Sequence, residues 1–183
     1  MTLMEEWTQS ESLRKHMLSV AAAMEAAALR AGEDTDLWVA TGLLHDFDYE
    51  RYPDLGHDGH PGVRVAHLRA EGWPEVLCDA IMGHAGDELG VPRTTLLAKT
   101  LYACDEITGL ITAAVLVRPD RDVRQLTIPS LRKKFRSKSF AAGVNRDDVE
   151  RGAAELGVEL WEHAEFVLTA MQERAEQLGL AGN

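Results

Sequence analysis

The chain has 183 residues, of which 19 are Lys or Arg and 30 are Asp or Glu, so its formal net charge is −11. This length suits about one domain with its own core, and 45% hydrophobic with 27% charged residues excludes a disordered or fibrous chain. The negative charge argues against binding to duplex nucleic acid or to an anionic membrane, since both require a cationic face.

The start of the chain and its two cysteines predict a cytoplasmic protein. Residues 1–7 lack the basic and apolar segments of a secretory signal. The longest uncharged apolar stretch, 109–117, has nine residues, whereas a membrane-spanning helix needs about 20. Cys78 and Cys104 both lie in apolar helical patterns, which favours buried free thiols over a disulfide.

Helical patterns follow one another along the chain, and no segment has a strand pattern. Apolar residues from Leu13 to Ala27 recur at steps of three and four, which predicts a helix that ends at Gly32. Asp34 or Thr35 can cap a second helix that runs to about Phe47. Turn-forming residues then predict a loop at 48–59. Further helices are predicted at 61–71, 74–84, about 93–117, 129–136, 146–156 and 158–178. The sequence therefore predicts an all-α fold, a single-domain helical bundle over residues 1–183.

Several ionisable residues lie on the apolar stripes of these helices. His16, His84 and Asp105 each stand three or four residues from apolar residues of the same helix, so they face inward. A carboxylate removed from water without a partner costs several kcal/mol. The two imidazoles and the carboxylate, all on inward faces, therefore predict that these three side chains share one positive charge. His45 and Asp46 are adjacent at the end of the second helix and complete the set.

The order of these residues resembles the HD-domain superfamily of metal-dependent phosphohydrolases. The matching segments are LRKHMLSVA, ATGLLHDFD, GHPGVRVAHL, AIMGHAG and LYACDEITGL. They extend over about residues 13–117, the metal-site core, and leave about 118–183 as a C-terminal helical extension. Two features differ from some branches of the superfamily. GHAG has one histidine instead of a pair, and the Gly-Tyr-Pro extension of the cyclic-di-GMP phosphodiesterases is missing, which argues against that substrate.

The resemblance implies one or two divalent metal ions and their ligands. Four residues would bind the first ion: His16, His45, Asp46 and Asp105. His60 and His84 would bind a second ion, with Asp46 shared by both ions and therefore catalytic. His57 is the alternative to His60, which is preferred because Pro61 and Gly62 begin the next helix. Nitrogen and oxygen ligands without thiolate suit Fe, Mn, Co, Ni, Zn or Mg.

The implied reaction is hydrolysis of a phosphomonoester or phosphodiester in a small nucleotide-like substrate, by attack of a metal-bound hydroxide. Asp48, Glu50 and Asp87 are the candidates for protonating the leaving group. Two alternatives remain open. One is an HD-fold di-iron oxygenase, with which Tyr49 and Tyr52 beside the site are compatible. The other is a non-catalytic regulatory module that retains the fold.

A basic segment at 118–138 interrupts the acidic chain. Its eight basic and two acidic residues give 8 − 2 = +6, which leaves −11 − 6 = −17 for the rest. The segment could bind substrate phosphate, with Lys133 or Lys134 facing the site, or it could be a solvated basic face. Thr108 could contact a substrate phosphate or bond to the carbonyl of Cys104. His67 and His163 are expected to be structural or surface residues.

Overall fold

The computed structural model describes residues 2–182, and the regular structure of these residues is almost entirely helical. The helices are α1 Thr2–Trp7, α2 Glu11–Ala31, α3 Thr35–Leu44, α4 Gly62–Ala70, α5 Glu75–His84, α6 Gly86–Leu89, α7 Leu96–Leu116, α8 Ile128–Phe135, α9 Arg146–Leu156, α10 Leu160–Glu173 and α11 Ala175–Leu178. A 3-10 turn covers Val123–Gln125. Two short strands, β1 Leu55–Gly56 and β2 His60–Pro61, pair in parallel. The prediction of an all-α fold is confirmed.

Local sequence signals set the ends of the helices around the first histidine. The side chain of Ser10 accepts a hydrogen bond from the backbone N–H of Leu13 at 3.3 Å and so caps α2. Gly32 ends α2 at φ 71°, in the left-handed conformation that glycine adopts without a steric penalty. Asp34 caps α3 by accepting from the N–H of Leu37 at 3.1 Å, as the sequence predicts.

The chain forms two compact units, Met1–Tyr102 and Ala103–Asn183. In the first unit α2 packs along α3, and α5 packs against both α3 and α4. Its core includes the fully buried side chains of Met17, Met24 and Leu77. In the second unit α10 packs against α8, α9 and the 3-10 turn.

A glycine permits the close packing of α2 on α3. A Cβ atom at Gly42 would lie 2.7 Å from Cα and 2.9 Å from the backbone nitrogen of Ala21. Because the obstructing atoms belong to the backbone, a side chain at this position would push the two helices apart. The approach affects the site, since α2 carries His16 and α3 ends directly before His45.

The structure departs from the predicted elements at several helix ends. The second predicted helix ends at Leu44 and not at about Phe47, because the N–H groups of Tyr49 and Arg51 bond to carbonyls three residues back and form turns. The predicted helix at 158–178 is divided at Arg174, whose φ of −109° leaves the helical range. Helices α1 and α6 and strand β1 lie outside the predicted elements, and β2 includes Pro61, the first residue of the helix predicted at 61–71.

Neither membrane spans nor disulfides occur in the described part of the chain. No helix there is long and apolar enough to cross a bilayer. Cys78 and Cys104 are buried and unpaired, which confirms the prediction of free thiols. Burial raises the pKa of both thiols, that of Cys104 to about 12. Neither cysteine is therefore a thiolate near neutral pH.

Candidate metal centre

Four histidines and one aspartate of the first unit come together. They come from five places in the chain: His16 from α2, His45 from the end of α3, Asp46 from the next position, His60 from β2 and His84 from the end of α5. They form two groups of three that share Asp46, and the donor atoms of each group lie within 4.8 Å of one another. Five of the six predicted metal ligands thus lie side by side.

The carboxylate of Asp46 lies between the two pairs of histidines. Its Oδ2 is 3.6 Å from Nε2 of His16 and 3.4 Å from Nε2 of His45. Its Oδ1 is 3.3 Å from Nε2 of His60 and 3.5 Å from Nε2 of His84. Each carboxylate oxygen therefore faces one pair, the arrangement that a carboxylate shared by two cations requires.

Backbone carbonyls determine which ring nitrogen of two histidines faces the cluster. Nδ1 of His45 lies 2.8 Å from the carbonyl oxygen of Gly42, and Nδ1 of His84 bonds to the carbonyl of Ile81. Because a carbonyl oxygen only accepts, each Nδ1 carries a proton and donates it. In the neutral rings the lone pair is then on Nε2, which points towards Asp46 and is available to a metal ion.

A buried carboxylate orients His60 in the same way. Oδ1 of Asp48 lies 2.7 Å from Nδ1 of His60, and Oδ2 accepts the backbone N–H of Arg64 at 3.0 Å. Asp48 is fully buried. A carboxylate behind a metal-binding histidine fixes its ring and increases its basicity. The structure does not support the interpretation of Asp48 as a proton donor, since both of its oxygens are engaged away from solvent.

The charges of this cluster favour a bound cation. Burial raises the pKa of the Asp46 carboxyl, but the charge of His45 and hydrogen bonds from His45, His60 and His84 outweigh it and hold the pKa well below 3.8. The rings of His45 and His84 supply these interactions only when a proton also occupies Nε2, so in the absence of a metal ion protons play the part of the cation. Burial lowers the pKa of His60, but hydrogen bonds to Asp46 and Asp48 and their charges outweigh it and raise the pKa to about 9. A proton is therefore held at His60 unless another cation takes its place.

The donor atoms fit a metal ion. Nε2 of His60 and Nε2 of His84 lie 3.0 Å apart. In neutral rings that both donate from Nδ1, two lone pairs face each other at this distance, and a proton or a metal ion between them makes the contact favourable. Four imidazoles and a carboxylate are ligands that first-row divalent metals accept. The residues present thus suit the metal ions that the resemblance implies.

The cluster is accessible from one side. His45 and His60 are 0% and 3% exposed, whereas His16 and Asp46 are 22% and 15% exposed. A molecule in solution can therefore approach the bridging carboxylate, while the ligands behind it are held by buried contacts.

Arg64 is a buried residue of this region that the sequence reasoning missed. Its guanidinium donates to the carbonyl of Leu44 at 2.9 Å and lies over the ring of Phe47. Burial lowers its pKa, and its Nε and Nη1 lack hydrogen-bond partners within the described part of the chain. The sequence feature that indicates a buried arginine here is its position four residues before Leu68, on the buried stripe of α4. Arg64 joins the end of α3 and the Asp48 turn to α4.

The remaining predicted site residues lie as follows. His57 is exposed and belongs to neither group, whereas His60 belongs to the group with Asp46 and His84. Asp105 is half-buried on α7 in the second unit, and its role as a ligand stays a prediction. The hydroxyl of Thr108 donates to the carbonyl of Asp105 at 2.8 Å, one residue from the expected acceptor. Lys133 and Lys134 line a surface pocket of the second unit.

The other two candidate proton donors already have partners. Glu50 accepts the backbone N–H groups of Gln9 and Ser10 at 2.8 and 2.9 Å, and these bonds lower its pKa. Asp87 pairs with Arg93 at 2.9 Å. Both contacts stabilise the ionised carboxylate, which cannot donate a proton.

Two further histidines have structural roles, as the sequence predicts. The ring of His67 packs against Trp7 with centroids 4.9 Å apart. His163 is buried in the second unit and donates from Nε2 to the carbonyl of Ala103 at 2.8 Å. Burial lowers the pKa of His163, so the ring is neutral near pH 7.

Comparisons with known proteins agree with this site. The HD domain family matches residues 13–110, more than half of the chain, and this range contains all five clustered residues. Ribonuclease Y of Lactobacillus acidophilus is 28% identical over 117 residues, which are 64% of this chain and 21% of that protein. The chain thus spans about a fifth of the length of this relative. No solved structure matches the chain. The family match and the clustered His-Asp residues together show that the chain belongs to the HD domain family.

Proposed function

We propose that this protein is a metal-dependent phosphohydrolase that cleaves a phosphomonoester or phosphodiester of a small nucleotide-like molecule. The observation that carries the proposal is the position of Asp46, whose two oxygens face two separate pairs of histidines. Membership of the HD domain family, whose members are mostly metal-dependent hydrolases, supports it.

The cluster would hold one or two divalent ions. His16, His45 and Asp46 would bind one ion, and Asp46, His60 and His84 the other. Divalent ions in such a site activate a water molecule as the nucleophile and neutralise the charge of the phosphoryl group. The imidazole-rich donor set favours Fe, Mn, Co, Ni or Zn over Mg, which prefers oxygen ligands.

Residues of the chain hold the metal-binding side chains in place for this reaction. Asp46 is the catalytic residue, since it would hold both ions against the substrate. Asp48 and the carbonyls of Gly42 and Ile81 hold three rings so that Nε2 faces inward. Because Glu50 is engaged as an acceptor, the proton for the leaving group comes in this proposal from solvent at the exposed side of the cluster.

The substrate class follows from charge and from the relative. Ribonuclease Y is named for action on RNA, which supports a phosphodiester among the bonds that this protein would cleave. The net charge of −11 opposes the approach of a long polyanion. We therefore propose a small phosphorylated molecule, whose charge a bound metal can balance locally.

The test is metal analysis followed by a panel of phosphoesters. Protein purified without chelator and reconstituted with Mn, Co, Ni or Fe is expected to bind about two ions per chain and to hydrolyse a phosphoester. Asp46→Ala is expected to abolish both. The matched control is Asp58→Asn, which removes an exposed carboxylate of the same loop and should change neither. Turnover by Asp46→Ala would refute the proposal, and a chain that never binds metal would favour the regulatory alternative.

A second candidate is a di-iron oxygenase. The ring of Tyr49 lies edge-on to His60 with centroids 5.2 Å apart, so a phenol stands beside the His-rich set. Iron retained after anaerobic purification, together with O₂ uptake and no phosphoester hydrolysis, would favour this reaction. O₂ uptake unchanged in Asp46→Ala would exclude it.

A further inference from the structure

A pocket of the second unit has a strongly basic lining. It has a volume of about 360 Å³ and is lined by Ser130, Lys133, Lys134, Ser137 and Phe140. The two serines and two lysines lie at steps of three, four and seven along α8 and the turn after it, so they share one face. No acidic residue lines the pocket.

The cations of the surrounding segment divide into paired and unpaired groups. Arg118 pairs with Asp120, and Arg124 pairs with Asp122 at 2.9 Å. The first part of the basic segment is therefore largely neutralised within itself. From 128 to 140 the sequence has five basic residues and no acidic one. The positive charge of the segment thus concentrates around the pocket.

The two lysines of the pocket are not needed elsewhere. Within the described part of the chain, neither ammonium forms a salt bridge. Backbone carbonyls after α8 are taken by Arg146, which donates to Ala141 at 2.7 Å and to Val144 at 2.8 Å. Lysine side chains often bind such carbonyls at the end of a helix. Because Arg146 already fills this role, both ammonium groups are available to a ligand.

The lining has an apolar part as well as a basic one. The ammonium of Lys134 lies 4.6 Å from the centroid of the Phe140 ring, a cation–π contact that holds the charge at the pocket. Ligand pockets range from about 300 to 1,000 Å³, so this volume exceeds what a bare phosphate fills. Two ammonium groups and two hydroxyls suit phosphate oxygens, and the ring suits an organic group attached to the phosphate.

We propose that this pocket binds a phosphorylated small molecule, with its phosphate between Lys133 and Lys134 and its organic part against Phe140. Binding at this pocket does not depend on whether the metal centre of the first unit hydrolyses phosphoesters. Two adjacent cations in a pocket that no acidic residue lines gain most from a doubly charged group. Inorganic pyrophosphate and ADP are therefore suitable probes.

The experiment measures binding of pyrophosphate and ADP to the full chain by calorimetry, with chelator present so that the metal centre cannot bind phosphate. Wild type is expected to bind both saturably, and ADP more tightly. The double variant Lys133→Ala/Lys134→Ala is expected to lose at least about tenfold in affinity, since it removes both charged hydrogen bonds to the phosphate. Phe140→Leu should remove the advantage of ADP and leave pyrophosphate binding unchanged.

Lys138→Ala is the matched control, because it removes an equal charge from an exposed residue that does not line the pocket. An equal loss of affinity in this variant would show that the probes are attracted to the basic segment in general, and it would overturn the proposal. So would the absence of saturable binding to pyrophosphate. Binding only to vesicles that contain phosphatidylserine would overturn it in favour of a membrane surface. Thermal melting of each variant separates loss of binding from loss of fold.

Discussion

Replacing Asp48 with Asn tests whether a buried carboxylate holds His60 in place for a metal ion. The amide oxygen can still accept from Nδ1 of His60, but the NH₂ group then faces the backbone N–H of Arg64, which is also a donor. We expect Asp48→Asn to lower the affinity for the ion that we propose is bound by His60 and His84 by about 10–100-fold, the usual effect of losing such a partner. The ion held by His16 and His45 should be affected less.

The same contacts set the effect on stability. In Asp48→Asn one buried donor is left without an acceptor, which costs about 1–3 kcal/mol. Loss of a negative charge close to the buried Arg64 adds to this cost, so we expect the free energy of unfolding of metal-free protein to fall by about 2–4 kcal/mol. Asp48→Ala leaves both donors unpaired and should cost more.

The assays are metal content by mass spectrometry, competition against a chromophoric chelator, and urea unfolding in the presence of chelator. Asp58→Asn, an exposed carboxylate of the same loop, is the control for the change in net charge. Unchanged affinity for both ions in folded Asp48→Asn would refute the positioning role. An equal loss in Asp58→Asn would attribute the effect to net charge alone.

Three further predictions concern other contacts. Gly42→Ala should destabilise the fold by about 1–3 kcal/mol, because the added methyl group would force α2 away from α3. The variant should also bind metal more weakly at His16, which a metal titration would measure. A metal affinity equal to that of the wild type would contradict this prediction. Arg146→Lys should lower the free energy of unfolding by about 2 kcal/mol, since a lysine cannot reach several carbonyls at once. Urea unfolding measures this change, and an unchanged unfolding midpoint would contradict the prediction. In metal-free protein the pKa of His60, raised from 6.5 to about 9, means that the folded state holds the proton more tightly. Its contribution to stability is therefore complete below pH 6.5 and lost as pH rises through 9, and a flat stability–pH curve above pH 6.5 would disprove this.

The sequence by itself determined the helices and most of the candidate ligands. Helix periodicity and caps are local properties, so Gly32 and Asp34 mark helix ends that the structure reproduces. Polar residues on apolar stripes are also visible locally, because a buried charge requires a partner wherever the helix packs. His16 and His84 can be recognised in this way from the sequence alone.

Only the tertiary structure decided how these residues meet. Whether Nδ1 or Nε2 faces the cluster depends on which carbonyl or carboxylate lies behind each ring, and Asp48 reaches His60 across a loop of 12 positions. The fit of α3 on α2 depends on Ala21 facing Gly42, a contact between helices that periodicity does not describe. The basic segment carries eight cations in the sequence, yet the ion pairs of Arg118 and Arg124 leave its free charge around Lys133 and Lys134. The sequence pattern determines which face of a helix a residue occupies. Which residues meet across two helices depends on how the helices pack, and this packing determines the chemistry of the site.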